Sequence, residues 1–257
     1  MLDKIILIHP TKCAGTTISK NLYKLKGFSN RKSDFLSGYN FNLIFQNNIQ
    51  VFHYIFHSKN VIVYLIYLLF YCVCLFCSLR NSLSKHKLGL TLSNGSIQHF
   101  TYREWKERNE IKEDSLCIGV VTHPQHRIVS SFYFLGYNKY YNFLEFVKAI
   151  KDGSLLSSIH FPGFRAIIEQ HTRSMYDTLI GFNDKDCIDF LLKRESLDND
   201  WKEFCSLHNL KHNTLQQINK TKTSIGWKEM YNRYPEASQL VYKLYKKDFE
   251  HFGYKIF

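Results

Sequence analysis

Residues 6–22, ILIHPTKCAGTTISKNL, constrain the fold of this chain more than any other stretch. Ile5, Ile6, Leu7 and Ile8 form an apolar run of strand length, and Ile18, Leu22 and Leu25 keep a helical spacing that begins at paired threonines. Between them lie Lys12 and Gly15, a glycine that permits a tight turn. The pattern predicts a strand, an anion-sized loop and a helix N-terminus. Unbonded N–H groups and the positive end of the helix dipole make such a junction a site for phosphate or sulfate. Lys12 adds a mobile full charge, and Thr16 and Thr17 add hydroxyl donors. The order of residues argues against the P-loop of ATPases and GTPases, where Lys follows the last Gly directly, because Lys12 comes three residues before Gly15. No G-x-G-x-x-G is present, which argues against a Rossmann dinucleotide site. On this segment alone, a strand, turn and helix that hold no ligand remain an alternative.

A second junction of the same kind follows. SLCIGVV, Ser115–Val121, is a buried strand, and it runs into THPQHRIVSSFYF, where Pro124 suits the first turn of a helix. Upstream, Thr101 and Glu104 have capping-box spacing and predict a helix starting near Thr101. Downstream, NFLEFVKAI is amphipathic, DCIDFLL (186–192) reads as a strand and LDNDWKEFCSLHNL (197–210) as a helix. The last helix starts at Pro235 and carries Leu240, Val241, Leu244, Tyr245 and Phe249 on one side. Strands alternating with helices predict an α/β fold, a central, mostly parallel sheet flanked by helices on both faces. Ligands of such sheets sit beyond the carboxyl ends of the strands. A length of 257 residues suits one domain over 1–257, with residues 42–92 as an apolar insertion.

Within that insertion, VIVYLIYLLFYCVCLFCSL (61–79) has 19 residues without a formal charge, enough to cross a hydrocarbon core of roughly 30 Å. Lys59 flanks it on one side and Arg80, Lys85 and Lys87 on the other. Tyr64, Tyr67 and Tyr71 oppose a spanning helix, since tyrosine prefers the interface. A membrane-associated helix and a buried or dimer-forming one are both open. A span would separate two halves of one fold, which favours association with a membrane surface. The chain reaches its first strand after only four residues, so no signal peptide is read, and the expected location is membrane-associated or cytoplasmic. Seven cysteines, with Cys72, Cys74 and Cys77 inside the apolar run, suggest neither a disulfide framework nor a metal site. The formal charge of +12, from 34 Lys and Arg against 22 Asp and Glu, favours anionic partners. No basic run belongs to a known nucleic-acid module, and specific nucleic-acid binding is not expected.

The two junctions, in this order, resemble the sulfotransferases that use 3′-phosphoadenosine 5′-phosphosulfate, in particular the membrane-associated carbohydrate group. HPTKCAGTT (9–17) is similar to that group's H-I-P-K-C/T-A/G-G-T-[ST], with Lys12, Gly15, Thr16 and Thr17 matching and Pro10 and Thr11 departing. VTHPQHRIVS (121–130) is similar to V-R-[ND]-P-x-x-R-x-x-S, with Pro124, Arg127 and Ser130 matching. Thr122 stands where the family has the Arg that pairs with the donor's 3′-phosphate, and His123 where it has Asn or Asp. Loss of one charge-assisted bond to phosphate costs roughly tenfold to a hundredfold in affinity. Thr122 can donate one hydrogen bond, and His123 and His126 are candidates for restoring charge. Residues 187–210, QINKT (217–221) and LVYKLYKKDFEHFGY (240–254) resemble the family's later motifs, so the likeness covers residues 1–25 and about 96–257.

The resemblance implies a P-loop-like three-layer fold and transfer of a sulfuryl group to a hydroxyl of a carbohydrate or similar acceptor, without a metal. Lys12 would bond the bridging oxygen of the donor, the N–H groups of Gly15, Thr16 and Thr17 would hold the 5′-phosphosulfate, and Ser130, with Thr122, the 3′-phosphate. His99, before the Thr101 helix, resembles the family's general base, with Glu104 as second candidate. Arg127 would brace the fold, and Asn219 and Lys220 would border the donor site. Two rivals stand beside this reading. One is a catalytically silent relative that binds nucleotide or anionic glycan, motivated by Thr122; the other is a P-loop kinase, disfavoured by the missing Gly-Lys and by the lack of a magnesium-binding acid after a strand.

Overall fold

The computed structural model describes residues 4–22, 90–91, 95–96, 99–157, 162–211, 214–215 and 225–257. Strand β1 (Lys4–Ile8) leads into helix α1 (Gly15–Leu22), and two short strands, β2 (Leu90–Thr91) and β3 (Gly95–Ser96), pair antiparallel. Helix α2 (Tyr102–Glu107), strand β4 (Ser115–Val121) and helix α3 (Pro124–Phe134) follow. Then come α4 (Phe143–Lys151), α5 (Pro162–Thr172), α6 (Met175–Leu179), strand β5 (Phe190–Lys193) and α7 (Leu197–Leu207). The chain closes with α8 (Trp227–Arg233), α9 (Pro235–Leu244) and α10 (Lys246–Phe252).

Strands β1, β4 and β5 form a parallel sheet with β4 in the middle, from Lys4↔Ser115 to Ile8↔Gly119 on one side and from Ile118↔Phe190 to Val121↔Lys193 on the other. Ile6, Ile8, Ile118, Val120 and Val121 are fully buried, which is why these runs are apolar on both faces. One apolar cluster surrounds the sheet and includes Ile18, Leu22, Phe100, Trp105, Met175, Trp201 and Phe204. A second is built between helices from Ile128, Phe132, Phe143, Phe146, Tyr231, Val241 and Phe249. Its rings pack edge-to-face, Phe132 on Phe143 at 5.4 Å and Phe143 on Tyr231 at 5.2 Å, and this absorbs much of the high aromatic content.

Local signals set most element starts. Thr101 and Glu104 close the capping box of α2, Asn142 and Glu145 form another on α4, and Pro124 opens α3. Three boundaries depart from the sequence expectation. The strand expected over 186–192 forms only from Phe190, because Asp189 meets β4 with its side chain: Cys117 N–H donates to Asp189 Oδ2 at 2.7 Å. The helix expected to reach 210 stops at Leu207, and Asn209 takes a left-handed φ of 52°. The last helix divides at Tyr245, whose buried hydroxyl donates to Thr172 O at 2.6 Å.

The apolar segment 61–79, the rest of the 42–92 insertion apart from β2, and Asn219 and Lys220 lie outside the described residues. Among the described residues no helix is long and apolar enough to cross a membrane.

Candidate active site

The carboxyl ends of β1, β4 and β5 lie side by side, so the loops leaving Ile8, Val121 and Lys193 are neighbours. The first loop is fastened from two directions. Thr11 Oγ1 donates to Gln170 O at 3.0 Å, and the Arg127 Nε–H donates to Thr11 O at 3.2 Å. Arg127 is fully buried and also donates to Arg173 O, which makes it the brace expected of it. Lys12 and Ala14 hold φ of 66° and 65°. Left-handed backbone at non-glycine residues costs on the order of 1–3 kcal/mol each and survives only where the surroundings enforce it.

Gly15 has a different role from the tight turn expected of it. Its φ is not positive; it opens α1, and a Cβ placed there would lie 2.1 Å from His9 Nδ1. The residue is small because an imidazole lies against its backbone. Thr17 N–H is already bonded to Ala14 O at 2.9 Å. Among the described residues the Gly15 and Thr16 N–H groups have no backbone partner, so these two carry the open end of α1.

Lys12 lies over the Phe134 ring, its Nζ 4.1 Å from the centroid. Burial, followed by the nearby Arg194 charge, pushes its pKa down to about 7. Three histidines gather beside it. His9 and His99 meet edge-to-face at 4.7 Å, His99 and His171 at 6.1 Å, and His171 stacks on the same Phe134 at 4.6 Å. Burial holds His9 at about 4, His171 at about 3 and His99 well below the ordinary imidazole range, so all three are neutral at pH 7. After burial, the proximity of His9, His171 and Lys12 further disfavours protonation of His99. Its Nδ1 is 3.4 Å from His9 O. A carbonyl only accepts, so the tautomer that meets it carries the proton on Nδ1 and leaves Nε2 with a lone pair. Lys12 and His99 are thus brought together. Glu104 is committed elsewhere: its Oε2 accepts the Thr101 N–H at 2.7 Å and lies 3.4 Å from Arg173 Nη1.

At the second junction Ser130 is buried on α3. Thr122 is fully buried and its hydroxyl donates to Glu195 Oε1 at 2.8 Å. Glu195 also accepts the His123 N–H at 2.8 Å and the Tyr254 hydroxyl at 2.9 Å, and so caps the start of α3 from the end of β5. Burial works to raise the Glu195 carboxyl, but these bonds outweigh it and hold it below the ordinary range. The two histidines expected to restore charge are neutral. His126 is held at about 4 by burial and by Arg194, and His123 is lowered by burial. His123 Nε2–H donates to Lys255 O at 2.9 Å, and its ring packs 4.8 Å from Trp227. Arg194, unremarked in the sequence, leans on His126, with Nη1 2.8 Å from Nε2. A cation just past a parallel strand was its only signal; His171, on a helix far along the chain, had none.

The strand ends of this α/β sheet gather a half-buried lysine, an open helix N-terminus and an arginine, groups suited to holding an anion. A sequence model of the Sulfotransferase family matches residues 2–255, and the chain belongs to that family. Comparisons with curated proteins and with solved structures find no match.

Proposed function

We propose that this sulfotransferase moves a sulfuryl group from 3′-phosphoadenosine 5′-phosphosulfate to a hydroxyl of a carbohydrate or similar acceptor. The observation that carries the reading is the pairing of Lys12 with the neutral His99 beside the open N-terminus of α1. The residues fit an anionic nucleotide. Among the described residues neither Lys12 nor Arg194 has a carboxylate within ion-pair distance.

When bound, the donor supplies an activated sulfuryl group; the protein positions the partners and neutralises charge. The Gly15 and Thr16 N–H groups and the Thr16 hydroxyl hold the 5′-phosphosulfate, and Ser130 binds at the 3′-phosphate. Lys12, protonated, neutralises the oxygen that leaves. His99 accepts the proton of the acceptor hydroxyl at Nε2. The surplus of basic residues, +12 overall, favours an acidic acceptor such as an anionic glycan. Residues 61–79 suggest that the enzyme works at a membrane surface, which vesicle flotation of the full chain against a 61–79 deletion tests.

The test of function is incubation of the full chain with labelled donor and a panel of oligosaccharides, with and without magnesium. Transfer that is independent of magnesium and lost in Lys12→Ala and His99→Ala supports the reading. Binding of 3′,5′-ADP without transfer to any acceptor favours the second reading, a silent nucleotide-binding relative, for which the commitment of Thr122 to Glu195 speaks.

A further inference from the structure

The last registered pair between β4 and β5 is Val121↔Lys193. The next residues are therefore Thr122 and Arg194, leaving adjoining parallel strands that run roughly 4.8 Å apart. We propose that Arg194 supplies, from the end of β5, the cationic contact to the donor's 3′-phosphate that Thr122 at the end of β4 lacks. This rests on the donor reading above and adds a residue to it.

Three observations converge on the assignment. Arg194 reaches across to the first turn of α3, where Nη1 is 2.8 Å from His126 Nε2. His126 precedes Ser130 by four residues on that helix, so the two side chains share a face. An anion held by Ser130 is then within the sweep of the guanidinium. Next, the acidic neighbour is spent: Glu195 takes bonds from Thr122, His123 and Tyr254. Arg194 is left against a neutral imidazole, with no carboxylate within ion-pair distance among the described residues. A partly desolvated guanidinium whose closest side-chain contact is a neutral imidazole is incompletely compensated until an anion arrives. Finally, an arginine fork suits phosphate better than either histidine, because it stays charged and donates two parallel bonds. Thr122 and Glu195 fix the frame, and Arg194 carries the charge one strand over.

The experiment is titration calorimetry on the full chain with 3′,5′-ADP and with 5′-AMP, which lacks the 3′-phosphate. Arg194→Ala is expected to weaken 3′,5′-ADP roughly tenfold to a hundredfold and to leave 5′-AMP within about twofold. Arg194→Lys should recover part of the loss. The pair Thr122→Arg with Arg194→Ala should recover more, by returning the charge to β4. If Arg194→Ala does not fold, as judged by circular dichroism, Arg194→Gln keeps the packing and reads the same difference. Equal loss for both nucleotides, or no loss for either, overturns the assignment and leaves Arg194 as a support for His126. Wild type that binds neither nucleotide overturns the donor reading, and this one with it.

Discussion

Lys12 releases its proton near pH 7 in the folded protein because burial and the Arg194 charge disfavour its cation, whereas an unfolded lysine holds its proton to about 10.5. Between those values the unfolded chain binds more protons, so this group makes stability rise with pH. The burial penalty is present in full below about 7 and absent above about 10.5. Lys12→Met is therefore expected to stabilise the protein at pH 6, by something on the order of 2–4 kcal/mol, and to lose that advantage near pH 10; thermal melts at both values check it. The same shift predicts proton uptake when an anion binds. At pH 8, 3′,5′-ADP binding should draw up to one proton into the wild type, seen as a dependence of the binding heat on buffer ionisation enthalpy, and none into Lys12→Ala. Equal heats in all buffers for the wild type would contradict this. Gly15 gives a second residue-scale expectation. Gly15→Ala gains helix propensity but drives a methyl into the His9 ring, where a Cβ would meet Nδ1 at 2.1 Å. Overpacking of this kind costs about 1–3 kcal/mol. His9→Ala should relieve most of it, so the two substitutions combined should cost less than their sum in urea melts.

Among elements, the start of α3 depends on a carboxylate that comes from the end of β5, the strand adjoining β4. His123, its N-cap residue, makes no side-chain cap, and Glu195 accepts its N–H instead, together with the Thr122 and Tyr254 hydroxyls. Glu195→Gln keeps the shape and removes the charge, and should cost about 1–2 kcal/mol at pH 7, discounted for exposure to solvent. Because the folded carboxyl is held below its ordinary value, the stabilisation is full above the unfolded pKa of 4.5 and is lost as pH falls through the folded one. The gap between wild type and variant should narrow as pH falls below 4.5 in denaturant titrations; a gap that stays constant down to the acid limit would show that shape, not charge, does the capping. The same region marks the limit of what the sequence makes legible. Ser115–Val121 is readable as a strand because its burial on both faces leaves an unbroken apolar run, and Thr101 and Glu104 announce α2 because a capping box is local. Lys12 and Gly15 are readable as one candidate anion loop for the same reason, since they lie in one contiguous stretch, although the contact of Gly15 with His9 is not readable there. The start of β5 is not, because Asp189 replaces a ladder bond with its side chain. Nor is Arg194 facing Thr122, since that adjacency exists only once β4 and β5 are in register.

Across the whole molecule, the loop that carries Lys12 is held in place from later parts of the chain, and Arg127 is central to that. It donates to Thr11 O in the first loop and to Arg173 O after α5, while Thr11 Oγ1 reaches Gln170 O and Ser131 Oγ reaches His171 O. Nearby, Asp248 on α10 accepts the Met175 and Tyr176 N–H groups at 3.0 and 2.8 Å, tying the last helix to α6. The sheet cluster, which contains Met175, and the helical cluster, which contains Phe249, are thereby joined beneath the site. Two arginines near the carboxyl ends of the strands should then behave in opposite ways. Arg127 is fully buried and bonded to backbone; Arg194 is partly accessible and leans on one imidazole. Arg127→Lys retains a charge but cannot reach both carbonyls, so it leaves buried acceptors and a buried cation unsatisfied, at a cost of about 2–4 kcal/mol. For a chain of this size that is roughly 2–4 °C in Tm for each kcal/mol, and nucleotide affinity should fall with it because the Lys12 loop loses its support. Arg194→Ala should lower affinity for 3′,5′-ADP while shifting Tm little. Melting curves and titrations of the two variants side by side make the comparison: an Arg127→Lys protein that melts like wild type but no longer binds nucleotide would move Arg127 from the frame into the ligand site.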